Sequence, residues 1–314
     1  MPSNVTNTVV GYEAVRAVVT GGAGFIGSHV VEALLARGDQ VTVVDDLSNG
    51  KRENVPDDAV LAIADVRDGL PPVFEEARPE VVFHLAAQVD VRVSVERPDH
   101  DASVNVLGTV AVLEAARAVG AQVVFSSTGG AIYGECDGPA PESAERRPLA
   151  PYGVSKLAGE EYLAAYNRLY GTPHVSLRYG NVYGPRQDPH GEAGVVAIFL
   201  GALAHGQAPR IFGDGRQTRD YVYAGDVARA SLAAVGQAGG VFNVGTGLET
   251  SVVELYELCR AVTGSPVEAI EAPARLGELQ RSVLDVSLAE RELGWRPEVP
   301  LEEGLRLTWQ SITG

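Results

Sequence analysis

The chain has 314 residues, 45% of them hydrophobic, with 41 acidic against 25 basic side chains and a formal net charge of −16. That length allows one large domain, or a domain with a smaller lobe attached. The negative balance, without any cluster of Lys and Arg, excludes binding that depends on neutralising many phosphates of a nucleic acid or an anionic membrane surface, so anionic ligands must be met by local sites.

Residues 1–14, MPSNVTNTVVGYEA, have neither a basic n-region nor an apolar h-region and are expected to form a flexible arm. Asn4-Val5-Thr6 fits a glycosylation sequon, taken as chance without a secretory signal. Apolar, β-branched runs follow at 14–20, 40–46, 60–65, 80–86, 121–127 and 174–179, alternating with Ala/Leu-rich helical stretches. Runs this apolar, without polar alternation, suit strands covered on both faces. The fold class expected is therefore α/β, a Rossmann-type doubly wound parallel sheet. After residue 180 the alternation gives way to Gly/Pro-rich loops, a helical stretch at 195–205, a strand at 241–245, and helical segments at 251–263 and 302–312. The expected division is a Rossmann domain over 15–180 with a return segment near 225–247, and a smaller C-terminal lobe from 181–224 and 248–314. No run of about 18 apolar residues is present in the sequence. Cys136 and Cys259 lie far apart without metal-ligand spacing, so no disulfide, no metal site and a cytoplasmic location are expected.

The first strand runs into Gly21-Gly22-Ala23-Gly24-Phe25-Ile26-Gly27, and the spacing of Ile26, Val30, Leu34 and Leu35 begins a helix at once. Strand, glycines and helix in this order indicate a dinucleotide site, in which backbone N–H groups at the positive helix end approach a pyrophosphate. The second strand ends at Asp45-Asp46, where an acid accepts from the adenosine ribose hydroxyls and repels a 2′-phosphate, favouring NAD over NADP. Asp46 also fits a plain exposed turn. Asp65-Val66, after the third strand, is placed near the adenine.

Only two lysines occur, Lys51 and Lys156, and the second stands four residues after Tyr152 in Ala150-Pro151-Tyr152-Gly153-Val154-Ser155-Lys156. On a helix the two project from one face. An ammonium about 4 Å from a phenol contributes roughly 4 kcal/mol at an effective dielectric near 20, enough to lower the phenol's pKa toward that of a usable base. Lysine's compact donors can also hold a nicotinamide ribose.

The motifs TGGAGFIGSH, VVDDLSNG, FHLAAQ, FSSTGGAIYGE, PYGVSK, RYGNVYGPRQ, IFGDGRQTRDYVY and ELGWRP together resemble the extended short-chain dehydrogenase/reductases, and within them the nucleotide-sugar epimerases of the UDP-glucose 4-epimerase type. The resemblance spans about residues 15–310. It implies Tyr152 as acid–base residue and Lys156 as its partner. A hydroxyl beside the sugar O4 comes from Thr128, with Ser127 open as the alternative because the loop is one residue longer than in many relatives. NAD contacts are implied for Gly21, Gly24, Phe25, Ile26, Gly27, Asp45, Asp46, Asn49, Asp65, Val66, Leu85, Ala86, Ala87, Asn105, Ser126, Tyr152, Lys156 and Tyr179. For the UDP-sugar, the resemblance implies Gln88, Val195, Asn181 and a uracil-stacking segment through Arg210 and Phe212. It further implies Arg219 and Arg275 on the diphosphate, Glu278 on the uridine ribose, and Ser282 beside the C2 substituent. It implies a homodimer through helices near 103–118 and 152–169.

The related dehydratases and decarboxylases carry acids just after the catalytic threonine or before the following Tyr-Gly, where this chain has Gly129, Gly130 and Ala131. UDP-glucuronate 4-epimerases place an arginine two residues after Gly-Pro-Arg, where this chain has Asp188. A non-catalytic NAD-binding regulator would be free to lose the tyrosine or the lysine, and both are kept.

Overall fold

A computed structural model describes residues 14–189, 194–274 and 279–314. The arm up to residue 13, and with it Arg275 and Glu278, falls outside the described residues.

Six strands follow the expected runs: β1 (Arg16–Thr20), β2 (Gln40–Asp45), β3 (Val60–Ile63), β4 (Val81–His84), β5 (Gln122–Thr128) and β6 (Val175–Tyr179). Between them lie α1 (Phe25–Arg37), α2 (Leu70–Ala77), α3 (Val91–Glu96), α4 (Pro98–Ala102), a π-helical turn (Ser103–Leu107), α5 (Gly108–Val119), α6 (Gly129–Ile132) and α7 (Pro151–Tyr170). Thereafter come β7 (Asn181–Tyr183), α8 (Val195–Ala204), β8 (Arg210–Phe212), β9 (Thr218–Arg219), β10 (Tyr221–Tyr223), α9 (Ala224–Ala233) and β11 (Gly240–Val244). The chain ends with β12 (Thr250–Ser251), α10 (Val252–Thr263), β13 (Ile270–Ala272), β14 (Arg281–Ser282), α11 (Ser287–Leu293) and α12 (Leu301–Thr313).

The main sheet has the order β11-β6-β5-β4-β1-β2-β3, and all its pairings are parallel. Because side chains alternate along a strand, Ala17 and Val19 of β1 join Val30, Val31 and Leu34 of α1 on one face, while Val18 joins Leu70, Phe74, Val112 and Leu113 on the other. Both faces are covered, which is why the strands read as unbroken apolar runs. The chain leaves β3 at one edge and resumes with β4 on the far side of β1. The carboxyl ends of β1 and β4 thus flank the crevice where such sheets bind ligands.

The return segment is α9 and β11: Val227, Ala228 and Ala230 of α9 pack in the core with α1, and Val244 of β11 pairs with Tyr179 of β6. A separate core gathers Phe199 and Leu200 of α8, Leu255, Tyr256 and Cys259 of α10 and Leu305 of α12, and its short strands had no clear signature in the sequence. Helix α10 starts with a capping box, Ser251 Oγ accepting from the Glu254 N–H while the Glu254 carboxylate accepts from the Ser251 N–H. The helical stretch Pro98–Val119 is long and apolar enough to cross a membrane by length and composition. Its Val112, Leu113 and Ala116 are fully buried against the sheet.

Candidate active site

The glycine turn is fixed by backbone proximity. Gly21 has φ +72°, and a Cβ there would lie 2.6 Å from the Ala86 nitrogen; one on Gly27 would lie 2.1 Å from the Gly21 carbonyl oxygen. Only glycine fits either place. At Gly24, the N-cap of α1, no side chain caps the helix, the first turn carries no acid, and an added Cβ would meet only the Gly21 oxygen at 3.2 Å. The free N–H groups of α1 therefore face open space, a cradle suited to a pyrophosphate.

Asp45 and Asp46 separate cleanly. The Asp45 carboxylate is buried and accepts from the Ala23 N–H at 3.0 Å and the Leu47 N–H at 2.9 Å. Burial raises its pKa, and these two bonds pull the other way. Asp46 is exposed and accepts from the Ser48 N–H and hydroxyl at 2.9 and 2.6 Å, the turn role expected as its alternative. Asn49 is exposed in the same loop, next to Gly50, where a Cβ would strike the Asp45 carboxylate at 2.6 Å. Asp65 is held by Arg67 in an ion pair of 2.5 Å, which lowers its pKa, and Val66 beside it is buried. Leu85 and Ala86 close over the turn through N–H bonds to the Thr20 carbonyl (3.0 Å) and hydroxyl (3.3 Å), with Ala87 next in the chain.

The two lysine-facing expectations come out differently. Pro151 at the start of α7 and Gly171 past its end, at φ +68°, delimit a 20-residue helix that carries Tyr152 and Lys156 one turn apart. Lys156 is buried, donates to the Ser126 carbonyl at 2.9 Å and lies 5.0 Å from the centre of the Phe125 ring. Burial takes its pKa down to about 8, with Asp101 and Glu160 opposing. The expected lowering of the Tyr152 pKa by Lys156 is not found: burial, and then the Asp101 charge, push the phenol upward. The ammonium is spent on Ser126, and loss of water around the phenol outweighs it. A phenolate at Tyr152 therefore needs further positive charge in the crevice.

Strand alternation gives Ser127 and Thr128 different surroundings. Ser127 is buried and donates to Glu160 at 2.5 Å, and Glu160 is locked to Arg178 in an ion pair with both side chains 3% exposed. Thr128 is half-buried at the N-cap of α6, with no hydrogen bond on its hydroxyl among the described residues. A Cβ on Gly130 would fall 3.9 Å from that hydroxyl and 3.6 Å from the Asn181 Oδ1, so Thr128 and Asn181 face one space. Tyr179 reaches Ser231 at 3.3 Å from the buried side of β6.

The lobe closes over this end of the sheet. Arg219 and Ser282 are register partners across β9 and β14, and Leu284 packs where a Cβ on Gly129 would go, 2.6 Å away. Glu135 receives the Gln280 and Arg281 N–H groups at 2.9 and 2.8 Å, pinning β14 beside Tyr133 and α6. Arg219 donates to its neighbour's carbonyl, Thr218 O, at 2.8 Å. Arg210 is exposed and Phe212 half-buried on β8, which pairs with β13 just before residue 275, and Val195 opens α8.

The Gln88 amide is engaged within the protein. Its Nε2 donates to the Asp101 carboxylate at 2.9 Å and the Asp90 carbonyl at 3.0 Å, and its Oε1 accepts from the Asp90 N–H at 2.6 Å. Asn105 holds the Gln88 backbone through two bonds, of 2.8 and 2.9 Å. Three residues at this site had no place in the sequence reading: Asp101, Ser155 and Glu160. Their signals were weak but present, Asp101 and Asn105 being spaced i, i+4 and Glu160 lying one turn beyond Lys156.

With this geometry in place, comparison with known proteins assigns the class. Residues 17–245 match the model of the NAD dependent epimerase/dehydratase family, and the chain belongs to that family. It is 49% identical to the UDP-glucose 4-epimerase of Mycolicibacterium smegmatis over 93% of this chain and 97% of the relative. The structure of a Thermotoga maritima UDP-glucose 4-epimerase with UDP-glucose superposes with a TM-score of 0.92 at 48% identity, covering 95% of this chain and 98% of that one. A Thermus thermophilus UDP-glucose 4-epimerase in complex with NAD gives 0.90 at 50% identity, covering 95% and 99%.

Proposed function

We propose that this chain interconverts UDP-glucose and UDP-galactose by epimerisation at C4, with NAD held at the glycine turn. The observation that carries the reading is that α7 bears Tyr152 and Lys156 one turn apart and that Lys156 donates to the Ser126 carbonyl of β5, the strand that Thr128 ends. The cradle fits NAD, since the open approach at Gly24 admits a pyrophosphate and the Asp45 carboxylate at the end of β2 disfavours a 2′-phosphate. Bound NAD supplies the oxidation and re-reduction of the sugar at C4. Tyr152 takes the proton from O4 and later returns it, Thr128 holds O4 in line with the phenol, and Lys156 adds positive charge and holds the nicotinamide ribose. The cofactor's own positive ring provides the charge that Tyr152 lacks in the protein alone. Arg219, Arg275 and Asn181 grip the diphosphate, Glu278 the uridine ribose, and the segment through Arg210 and Phe212 the uracil, so that a 4-keto sugar can turn over without leaving. Gln88 acts by holding the loop rather than by touching sugar.

Two related chemistries are disfavoured by what stands at their positions: glycine, glycine and alanine at 129–131 in place of an acid, and Asp188 in place of an arginine that would receive a glucuronate. Ser282, small and beside Arg219, supports a site that also takes the N-acetylated pair. The test is a panel of UDP-sugars with products resolved by chromatography. UDP-glucose and UDP-galactose should interconvert, with weaker turnover of the N-acetylhexosamines, and Ser282→Tyr should suppress the latter selectively. A wild type inactive on every UDP-hexose sinks the reading.

We also infer a homodimer and a cytoplasmic location. Helices α3 and α7 and the π turn leave Val95, Leu107 and Val154 exposed at 62, 62 and 53%, and both cysteines are free thiols. Light scattering that finds a monomer removes the dimer.

A further inference from the structure

We propose that Asp101 is a positioning residue for the Tyr152–Lys156 pair, clamping α7 to the loop after β4 and setting a buried negative charge against the helix that carries the lysine. The proposal deepens the acid–base reading above and rests on it. Asp101 is fully buried near the end of α4 and takes hydrogen bonds from three elements. Ser155 of α7 donates to its Oδ2, while Gln88 after β4 and Asn105 of the π turn donate to its Oδ1 at 2.9 and 3.0 Å. Ser155 lies between Tyr152 and Lys156, so the clamp acts on the helix that carries both. The π turn follows directly, and single π turns inside helices recur at functional sites.

All three donors are neutral, and a buried carboxylate is costly without an opposing charge. Lys156, the neighbour of Ser155 on α7, is a buried ammonium on the same helix, and the Asp101 charge acts to raise its pKa. The other titratable groups around the cluster are committed elsewhere. Glu160 of α7 is paired with Arg178 of β6, and His84 of β4 is held neutral, its pKa lowered to about 3 by burial and Lys156. Tyr133 after α6 bonds Asn243, and Tyr179 of β6 bonds Ser231. On and beside α3 and α4 lie the pairs Arg92–Asp90 and Arg97–Asp99, together with the exposed Glu96 and the half-buried His100. Asp101 thus raises the affinity for protons of both Lys156 and Tyr152, the first keeping the ammonium charged at neutral pH.

Asp101→Asn separates charge from packing, because an amide can still accept from Gln88 and Asn105 and donate to Ser155 Oγ. In the NAD-bound protein both limbs of the kcat against pH profile should move to lower pH by about one unit. The tyrosinate absorbance assigned to Tyr152, by difference from the same protein carrying Tyr152→Phe, should move the same way. Ser155→Ala keeps the charge and loosens the clamp: kcat should fall by about tenfold with the profile in place. A folded Asp101→Asn with unmoved profile and unmoved tyrosinate titration overturns the charge role. Should that variant not fold, an unchanged kcat in Ser155→Ala overturns the clamp on its own. Failure of the acid–base reading shows separately, as undiminished turnover in Tyr152→Phe.

Discussion

The cofactor cradle and the sugar-facing lobe meet at the same end of the sheet, yet they are held by different kinds of contact. At the cradle the backbone itself makes the shape. The Gly21 turn, the close approach of Gly27 and the Asp45 bonds to Ala23 and Leu47 all join segments packed on one sheet. In the lobe, Asn181, Arg219 and Ser282 come from three short strands in two small sheets, held by side-chain pins such as Glu135 and by Arg281 with Glu249. A backbone-built site tolerates no added atoms, whereas a side-chain-built site can change its ligand one residue at a time.

That contrast predicts the largest effect at Gly27. Gly27→Ala forces a methyl against the Gly21 oxygen and should cost about 3 kcal/mol or more, with purified protein free of NAD. Retention of NAD at wild-type level, read after denaturation, would break the claim that the cradle is set by backbone contact. Tyr152→Phe comes next: kcat should drop by about 10² to 10⁴ with NAD still bound, because the phenol moves a proton and holds no part of the fold.

Adjacent hydroxyls sharpen the comparison further. Thr128→Val should lower kcat by about tenfold for one lost hydrogen bond and leave the melting temperature near wild type. Ser127→Ala should do the reverse, costing about 1–2 kcal/mol of stability by leaving the buried Glu160–Arg178 pair short of a donor. Equal effects of the two on kcat would mean that strand alternation does not divide their roles.

Acid stability tests the sheet half alone. Burial holds His84 at about 3 and His174 at about 4, both below the 6.5 of an exposed histidine. Between those values the unfolded chain takes up protons that the folded one refuses, so this stability is complete above about pH 6.5 and is lost as pH falls. Each histidine should contribute a loss of about 1.4 kcal/mol per pH unit down to its folded pKa. Thermal melts at pH 7 and 5 measure it, and His174→Asn should flatten part of the slope.

The same contrast explains what could be read in advance. Apolar runs, glycine spacing and the tyrosine–lysine interval are local patterns, so the main sheet, the cradle and α7 were legible residue by residue. Asp45 and Asp46 could not be told apart by type, only by which side of the strand end each faces. Ser127 and Thr128 stayed open because an extra loop residue blurs alignment but not the pleat of β5. Gln88 was read as a ligand contact since an amide after a strand end gives no hint that three internal partners will occupy it. Asp101 was hard to single out for the opposite reason: an acid next to Asp99 in a helical turn reads as surface, and only the packing of three elements around it shows otherwise.

The most direct test of the account follows the hydrogen on C4. UDP-galactose should be converted by the purified protein in deuterated water without added nucleotide, and the UDP-glucose formed analysed by mass spectrometry. If C4 is oxidised and reduced in place while Tyr152 moves only the O4 proton, the product carries no deuterium on carbon. Deuterium at a sugar carbon would mean that a proton is taken from carbon and exchanged with solvent, and that Tyr152, Lys156 and the NAD cradle do not act as described.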